Sequence, residues 1–173
     1  MERKGLIEFK GRDVTVVGPD LQAGDKAPEF SAQKADWATV QALESTRGKV
    51  RVIGSLPSLS TDVCERETRR FNEEAASLGE QVAILMISMD LPWTLKNACS
   101  AFGIDRVETL SDHLDGDFGA KYGVLLKEPR ILRRAAFVVD REGRLVYVEY
   151  TPAIGVEPNY AEVLEAVRRA LSR

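Results

Sequence analysis

Two cysteines, Cys64 and Cys99, are the residues of this 173-residue sequence whose side chains could do redox chemistry. Cys64 ends the segment PSLSTDVC (residues 57–64), which lies where a predicted strand gives way to a predicted helix. Residues 60–62 are all favourable helix N-caps, which places Cys64 in or near the first turn. Unpaired backbone N–H groups and the helix dipole stabilise an anion there. Because the thiolate is the nucleophilic form of cysteine, this position indicates a reactive thiol. The alternative is that both cysteines are small buried apolar residues.

A helix terminus alone is too weak to turn an ordinary thiol into a thiolate. A thiol with a pKa of about 8.5 is only about 3% ionised at pH 7, and lowering that pKa to about 6 requires roughly 3.4 kcal/mol. A helix N-terminus supplies roughly 0.3–2 kcal/mol, and the carboxylates of Asp62 and Glu65 oppose a thiolate. We therefore expect a cation beside Cys64. The candidates are Arg66, Arg69, Arg70, Arg133 and Arg134.

The composition limits the other classes of function. The net charge of −3 provides no basic field, so we expect no nucleic acid and no membrane as partners. Two cysteines build neither a disulfide framework nor a four-thiolate zinc site, and we expect no cofactor and no metal. The first ten residues lack the apolar core of a signal peptide, so we expect a cytoplasmic protein. The length predicts one domain over residues 1–173, with residues 1–18 as an N-terminal hairpin extension.

The pattern of apolar residues predicts an α/β protein. Two alternating segments around Gly11-Arg12, Leu6–Lys10 and Asp13–Val17, indicate an N-terminal β-hairpin. Further strands are predicted at Lys49–Leu56, Gln81–Ser88, Val107–Ser111, Ala135–Asp140 and Leu145–Tyr150. Helices are predicted at Asp62–Leu78, Trp93–Phe102, Asp117–Tyr122 and Tyr160–Arg173. Because strands alternate with helices and a hairpin follows them, we expect a mixed central sheet flanked by helices.

Three segments of the sequence resemble one enzyme family. Pro57, Thr61 and Cys64 match the P-x-x-x-T-x-x-C signature of peroxiredoxins, and PSLSTDVCERETRRFNE is similar to the active-site segment of the bacterial thiol peroxidase subfamily. The run from Asp90-Leu91-Pro92-Trp93 to Cys99 and the segment Arg134–Asp140 resemble two later segments of the same subfamily. The resemblance covers nearly the whole chain. It implies a thioredoxin-like fold and a cysteine-based peroxidase of the atypical two-cysteine type.

The resemblance also implies a role for each site residue. Cys64 corresponds to the peroxidatic cysteine and Cys99 to the resolving cysteine of the same chain. Thr61 corresponds to the residue that hydrogen-bonds thiolate and peroxide, Pro57 to the one that shields the pocket from water, and Arg134 to the arginine that stabilises the thiolate and polarises the peroxide. Neighbouring strand residues face opposite sides of a sheet, so only one of the two adjacent arginines can serve.

The sequence departs from the subfamily in one respect that bears on activation. Members often carry an acidic residue where Ser60 stands and Pro or Gly where Asp62 stands. An extra carboxylate two positions before Cys64 opposes formation of the thiolate. The implied partners are a hydroperoxide (hydrogen peroxide or an alkyl or lipid hydroperoxide), thioredoxin as reductant and a second copy in a homodimer.

The implied cycle makes a demand on the fold. Peroxide oxidises the first thiol to a sulfenic acid, which condenses with the second thiol to a disulfide. A disulfide needs Cα atoms within roughly 7 Å of each other, yet the two cysteines lie on separate predicted helices. We therefore expect one helical end to unwind before they join.

Other interpretations stand beside the peroxidase. A peroxide-sensing relay that passes oxidation to a partner protein would use the same thiol chemistry. A thioredoxin-type oxidoreductase would need Cys-x-x-Cys, where this chain has Glu65-Arg66-Glu67 after the first cysteine. The single histidine, His113, is a weak candidate for a protease base or a metal ligand. We expect Glu65–Arg70 to form a solvated helix face, and Trp37 and Trp93 to be packing residues.

Overall fold

The computed structural model describes all residues from Met1 to Arg173. The strands are β1 (Glu2–Arg3), β2 (Glu8–Phe9), β3 (Arg12–Asp13), β4 (Val16–Val17), β5 (Ser31–Gln33), β6 (Thr39–Gln41), β7 (Val50–Ser55), β8 (Val82–Ser88), β9 (Glu108–Ser111), β10 (Leu125–Leu126), β11 (Ile131–Leu132), β12 (Ala135–Val139) and β13 (Leu145–Tyr150). The helices are α1 (Ala42–Ser45), α2 (Asp62–Leu78), α3 (Pro92–Phe102), α4 (Asp117–Lys121) and α5 (Tyr160–Leu171).

Seven strands form the central sheet in the order β13-β12-β7-β8-β9-β5-β6. The three middle strands, β7, β8 and β9, run parallel because a helix follows β7 and another follows β8, each returning the chain to the same edge. Antiparallel strands extend the sheet on both sides. The nearly unbroken apolar sequence VAILMIS of β8 suits its place in the middle, where both faces are covered. The predicted mixed sheet flanked by helices is confirmed.

Each face of the sheet carries its own apolar core. One face packs against α1 and α4, and its centre is an aromatic group formed by Phe30, Phe118, Tyr122 and Phe137. The opposite face packs against α2, α3 and α5 and includes the side chain of Cys64. Residues of β12 alternate between the two faces: Phe137 belongs to the first core and its neighbours to the second.

The predicted N-terminal hairpin is present, but its turn lies one residue earlier than the sequence suggested. Phe9 pairs with Arg12, so the two turn residues are Lys10 and Gly11. Both have positive φ, at 50° and 75°, which is what a two-residue turn of the type that matches strand twist requires. The chain beyond this hairpin continues into β4, which pairs with β1 and β10 in a small separate sheet.

Six short elements were not predicted from the sequence: β1, β5, β6, β10, β11 and α1. Each is two to four residues long, which is too short for a periodic pattern to show. No helix of the structure combines the length and the apolar character that crossing a bilayer demands.

Candidate active site

Cys64 is the third residue of α2 and is completely buried. Thr61 is the N-cap in an extended conformation, and its carbonyl accepts the first helical hydrogen bond from Glu65 N–H at 2.9 Å. The backbone N–H groups of the first turn, including that of Cys64, therefore have no partner within the helix. The sulfur lies at the positive end of a 17-residue helix, facing the apolar core beneath it.

Arg134 supplies the cation that the helix start needs. Its guanidinium donates from Nη2 to Cys64 Sγ at 3.1 Å, from Nη1 to Glu67 Oε2 at 2.5 Å and from Nε to the carbonyl of Ile154 at 3.0 Å. The side chain is only 1% exposed. A guanidinium group with three hydrogen bonds in different directions has little freedom to move. A positive charge is therefore held next to the sulfur in surroundings that exclude water.

The neighbouring Arg133 points away from Cys64, as strand alternation requires. It belongs to the face of Ala135, whereas Arg134 belongs to the opposite face. Arg133 pairs with the carboxylate of Asp20 and lies 4.2 Å above the ring of Tyr150. Of the two arginines, the structure brings only Arg134 to the sulfur.

Glu67 is a site residue that the sequence interpretation missed. The expectation of a solvated face over Glu65–Arg70 is wrong for Glu67 and Thr68, which are both fully buried. Burial raises the pKa of Glu67 to about 7, and Arg134 opposes that rise. Its Oε1 has no hydrogen-bond partner. The spacing of three residues from Cys64 was the available signal, because positions i and i+3 share a helix face.

Thr61 and Pro57 belong to the segment that leads into α2. The hydroxyl of Thr61 donates to the carbonyl of Ser58 at 3.0 Å and makes no hydrogen bond to Cys64. Its oxygen lone pairs are still able to accept a hydrogen bond from an incoming O–H group. Pro57 is buried at the end of β7, and Leu59 is fully buried between the two. The segment thus places two buried apolar side chains, Pro57 and Leu59, directly before the helix start.

Cys99 lies in the last turn of α3 and is half-buried. Its sulfur is 3.4 Å from the hydroxyl of Thr109 on β9. The helix ends at Gly103, whose φ of +67° is left-handed, and the N–H of Ile104 returns to the Cys99 carbonyl at 3.0 Å. Cys99 packs against the same apolar core as Cys64, and both are free thiols.

The single histidine is part of an aromatic cluster on the surface. The rings of Trp37 and Trp93 are 5.1 Å apart, and that of His113 lies 5.5 Å from Trp37. The tryptophans do pack, as expected, but against each other at the surface, and Trp93 is 63% exposed. No group of three or more His, Cys, Asp or Glu side chains is arranged to hold a metal ion.

Comparison with known proteins assigns this chain to a family. The family model described as Redoxin matches residues 22–164. The chain belongs to the Redoxin family. Among its relatives, a thiol peroxidase of Oceanobacillus iheyensis is 47% identical over 94% of this chain and 98% of its own length. A thiol peroxidase of Bacillus subtilis is 46% identical over 94% of this chain and 96% of its own.

Two solved structures share the fold of this chain. A peroxiredoxin-like protein from Aquifex aeolicus superposes with a TM-score of 0.85 at 40% identity, covering 96% of this chain and 98% of that one. A thiol peroxidase from Chromobacterium violaceum has a TM-score of 0.83 at 19% identity, covering 96% of this chain and 97% of its own, which shows a shared fold. The resemblance of the sequence to peroxiredoxins of the thiol peroxidase subfamily is confirmed.

Proposed function

We propose that Cys64 is the peroxidatic cysteine of a hydroperoxide reductase that closes a Cys64–Cys99 disulfide and is recycled by thioredoxin. The coarse activity follows from family membership: the chain is a thiol-dependent peroxidase of the peroxiredoxin type. The observation that carries the assignment to a residue is the 3.1 Å contact between Arg134 and Cys64 Sγ. A fixed guanidinium beside a sulfur at a helix start favours the thiolate, the form that attacks peroxide.

In the first step, the Cys64 thiolate attacks one oxygen of the peroxide. An S–O bond forms, the O–O bond breaks, and its electron pair leaves on the second oxygen, which takes a proton to become water or an alcohol. Cys64 is left as a sulfenic acid. Arg134 is placed to stabilise the negative charge as it moves from sulfur to oxygen, because its donors are already oriented. The free lone pairs of Thr61 could accept the peroxide O–H, and Pro57 limits access of water.

In the second step, the Cys99 thiolate attacks the sulfenic sulfur, releasing the oxygen as water and forming the disulfide. The proposal requires a local change, because Cys64 is buried in the first turn of α2 and Cys99 lies on another helix. Unwinding of a helix end would bring the Cα atoms within the roughly 7 Å that a disulfide spans. A bridge closed in this way is exposed and readily reduced by a dithiol such as thioredoxin.

The proposal includes the compartment and the substrates. Reduction of the disulfide in each cycle calls for a thiol-reducing compartment, and the cytoplasm is one. Hydrogen peroxide and alkyl or lipid hydroperoxides all carry the O–O bond that the reaction breaks, and we propose both classes as substrates.

A homodimer is also part of the proposal, and an exposed apolar cluster supports it. Trp37, Leu91, Trp93 and Leu114 are 37%, 43%, 63% and 52% exposed. Trp37 is held in a left-handed conformation with φ of +71°, in which its ring meets that of Trp93. Exposed aromatic rings that pack on one another are typical of a protein interface, and a second copy covering them would remove them from water.

Steady-state turnover tests this function directly. Catalytic amounts of the protein are mixed with thioredoxin, its reductase and NADPH, and peroxide consumption is followed for hydrogen peroxide and for an alkyl hydroperoxide. We expect many equivalents of peroxide to be reduced per chain, and Cys64→Ser to stop turnover. Consumption of a single equivalent, followed by oxidation of a partner protein in equal amount, would favour the relay instead.

A further inference from the structure

Asp90 joins the segment before Cys64 to the helix that carries Cys99. Its Oδ1 accepts a hydrogen bond from Ser58 Oγ at 2.8 Å, and its Oδ2 accepts from Leu59 N–H at 2.7 Å. Both donors lie in the segment that leads into α2, while Asp90 itself lies two residues before Pro92, the first residue of α3. Hydrogen bonds to a carboxylate are shorter and stronger than neutral ones.

Asp90 is in turn anchored to the central sheet. Ser88, the last residue of β8, donates from its hydroxyl to Asp90 Oδ2 at 2.8 Å. Ser111, the last residue of β9, donates from its hydroxyl to the Asp90 carbonyl at 2.5 Å. Asp90 is therefore anchored to two adjacent parallel strands, through its carboxylate to β8 and through its backbone carbonyl to β9. On the other side, the segment before α2 is bonded to this anchored carboxylate at Ser58 and Leu59.

The movement that the two-cysteine cycle demands involves this same segment. If the first turn of α2 unwinds to release Cys64, the chain just before it must shift, and the bonds from Ser58 and Leu59 to Asp90 must stretch or break. These bonds favour the folded helix start, in which Arg134 contacts Cys64 Sγ. They oppose the unwound arrangement, in which the sulfur could reach Cys99.

We propose that Asp90 is a positioning residue that sets the balance between the peroxide-reactive and the disulfide-forming arrangements of the helix start. The inference rests on the proposed two-cysteine cycle. The same balance sets the fate of the sulfenic acid. The sulfenic acid either condenses with Cys99 and loses water, or reacts with a second peroxide to give a sulfinic acid and an alcohol or water. The Asp90 clamp, meaning the two hydrogen bonds from Ser58 and Leu59 to the Asp90 carboxylate, prolongs the life of the sulfenic acid and exposes it to the second oxidation.

Two variants weaken the clamp to different degrees. Asp90→Asn replaces an acceptor oxygen by an NH2 group, so one of the bonds from the segment or from Ser88 is lost. Ser58→Ala removes one donor and keeps the carboxylate and its other partners. Asp115→Asn is the matched control, because it makes the same chemical change at an exposed aspartate outside this network.

Rapid-mixing kinetics separates the two steps in each protein. The first rate is that of peroxide consumption at limiting peroxide, and the second is that of disulfide closure. Intact mass then gives the peroxide concentration at which half of the chains gain a sulfinic acid. For Asp90→Asn we expect slower peroxide consumption and a disulfide closure about tenfold faster, since the loss of one hydrogen bond to a charged group changes an equilibrium by about tenfold or more. We also expect that a higher peroxide concentration is needed before half of the chains gain a sulfinic acid. Ser58→Ala should shift the same quantities in the same directions by less, and Asp115→Asn should match the parent.

Two outcomes overturn the inference. One is that both rates stay at the parent values in Asp90→Asn and in Ser58→Ala. The other is that both rates fall together, which indicates general damage to the site; Ser58→Ala carries the test if Asp90→Asn does not fold. If the parent protein itself forms no Cys64–Cys99 disulfide, the proposed function fails, and that result is read from the parent alone.

Discussion

Three carboxylates and one guanidinium surround the start of the helix that carries Cys64. Asp62 is exposed to solvent, and Glu65 is paired with Arg69 at 2.8 Å, so neither directs an unscreened charge at the sulfur. Glu67 is buried but is paired with Arg134. The acidic residues that argued against a thiolate in the sequence are thus screened or neutralised, and the contact with Arg134 decides the local charge balance.

The two adjacent arginines allow a matched test of that contact. We expect Arg134→Lys to lower the second-order rate of peroxide reduction on the order of 10²-fold, because an ammonium cannot hold the sulfur, the carboxylate of Glu67 and the Ile154 carbonyl at once. The side chain of Arg133 lies on the other side of the sheet, so Arg133→Lys should change the rate by less than about threefold. Stopped-flow peroxide consumption measures both. Equal losses in the two variants would show that the contact with Cys64 does not set the rate.

Glu67 makes the stability of the fold depend on pH. Burial raises its pKa to about 7 from the ordinary value of 4.5, although Arg134 opposes the shift. Between these two values the folded chain holds a proton that the unfolded chain has released. The free energy of unfolding therefore falls as the pH rises through this range, by at most about 3 kcal/mol from this residue.

We expect Glu67→Gln to show a smaller fall in stability with pH, since its amide does not titrate. Urea unfolding at about pH 5 and about pH 8 measures the slope for parent and variant. Burial also raises the pKa of Asp112, to about 6, but that contribution is common to both proteins and cancels in the comparison. An identical slope in parent and variant would mean that Glu67 is ionised across the whole range.

At the level of elements, the sequence identified those that carry the cysteines. The helix predicted over Asp62–Leu78 has those bounds, because a charged run free of Gly and Pro is closed by Gly79. The helix with Cys99 was predicted to within one residue for the same kind of reason. The Asp90 network was not predictable, because its four partners lie on three different segments that only the folded sheet brings together.

Disulfide closure should remove helix, because Cys64 lies in the first turn of α2 and the bridge requires that turn or the end of α3 to open. We expect the far-ultraviolet circular dichroism near 222 nm to weaken by about the signal of one helical turn when the parent is treated with one equivalent of peroxide. The signal should recover on reduction. Cys99→Ser, treated in the same way, should keep its signal. A closed disulfide with an unchanged helix signal would contradict the unwinding step.

At the scale of the whole molecule, the alternation of strands and helices was enough to predict the mixed sheet. The sheet order was not predictable from the pattern alone, since β12 inserts between β13 and β7 by antiparallel pairing. That insertion matters for function, because it brings Arg134, the residue immediately before β12, to the start of the helix that follows β7. Sequence alternation narrowed the choice of arginine, but only the packing of the helices identifies which face holds Cys64.

The exposed aromatic cluster gives a prediction for assembly. We expect Trp93→Glu to shift the protein toward monomer in sedimentation velocity, because it places a charge on the surface that a second copy would cover. Leu6→Glu is the control: Leu6 is also exposed, at 47%, but lies in the N-terminal hairpin outside this cluster. A parent protein that sediments as a monomer, or a Trp93→Glu variant that stays dimeric, would reject the cluster as the interface.

The central claim is that peroxide oxidises Cys64 and that Cys99 then closes the bridge. Intact mass after addition of one equivalent of hydroperoxide tests it in the parent, Cys64→Ser and Cys99→Ser. The account predicts an intramolecular disulfide in the parent, a sulfenic acid trapped by a dione probe at Cys64 in Cys99→Ser, and no fast peroxide consumption by Cys64→Ser. Consumption of peroxide by Cys64→Ser at the rate of the parent would contradict it.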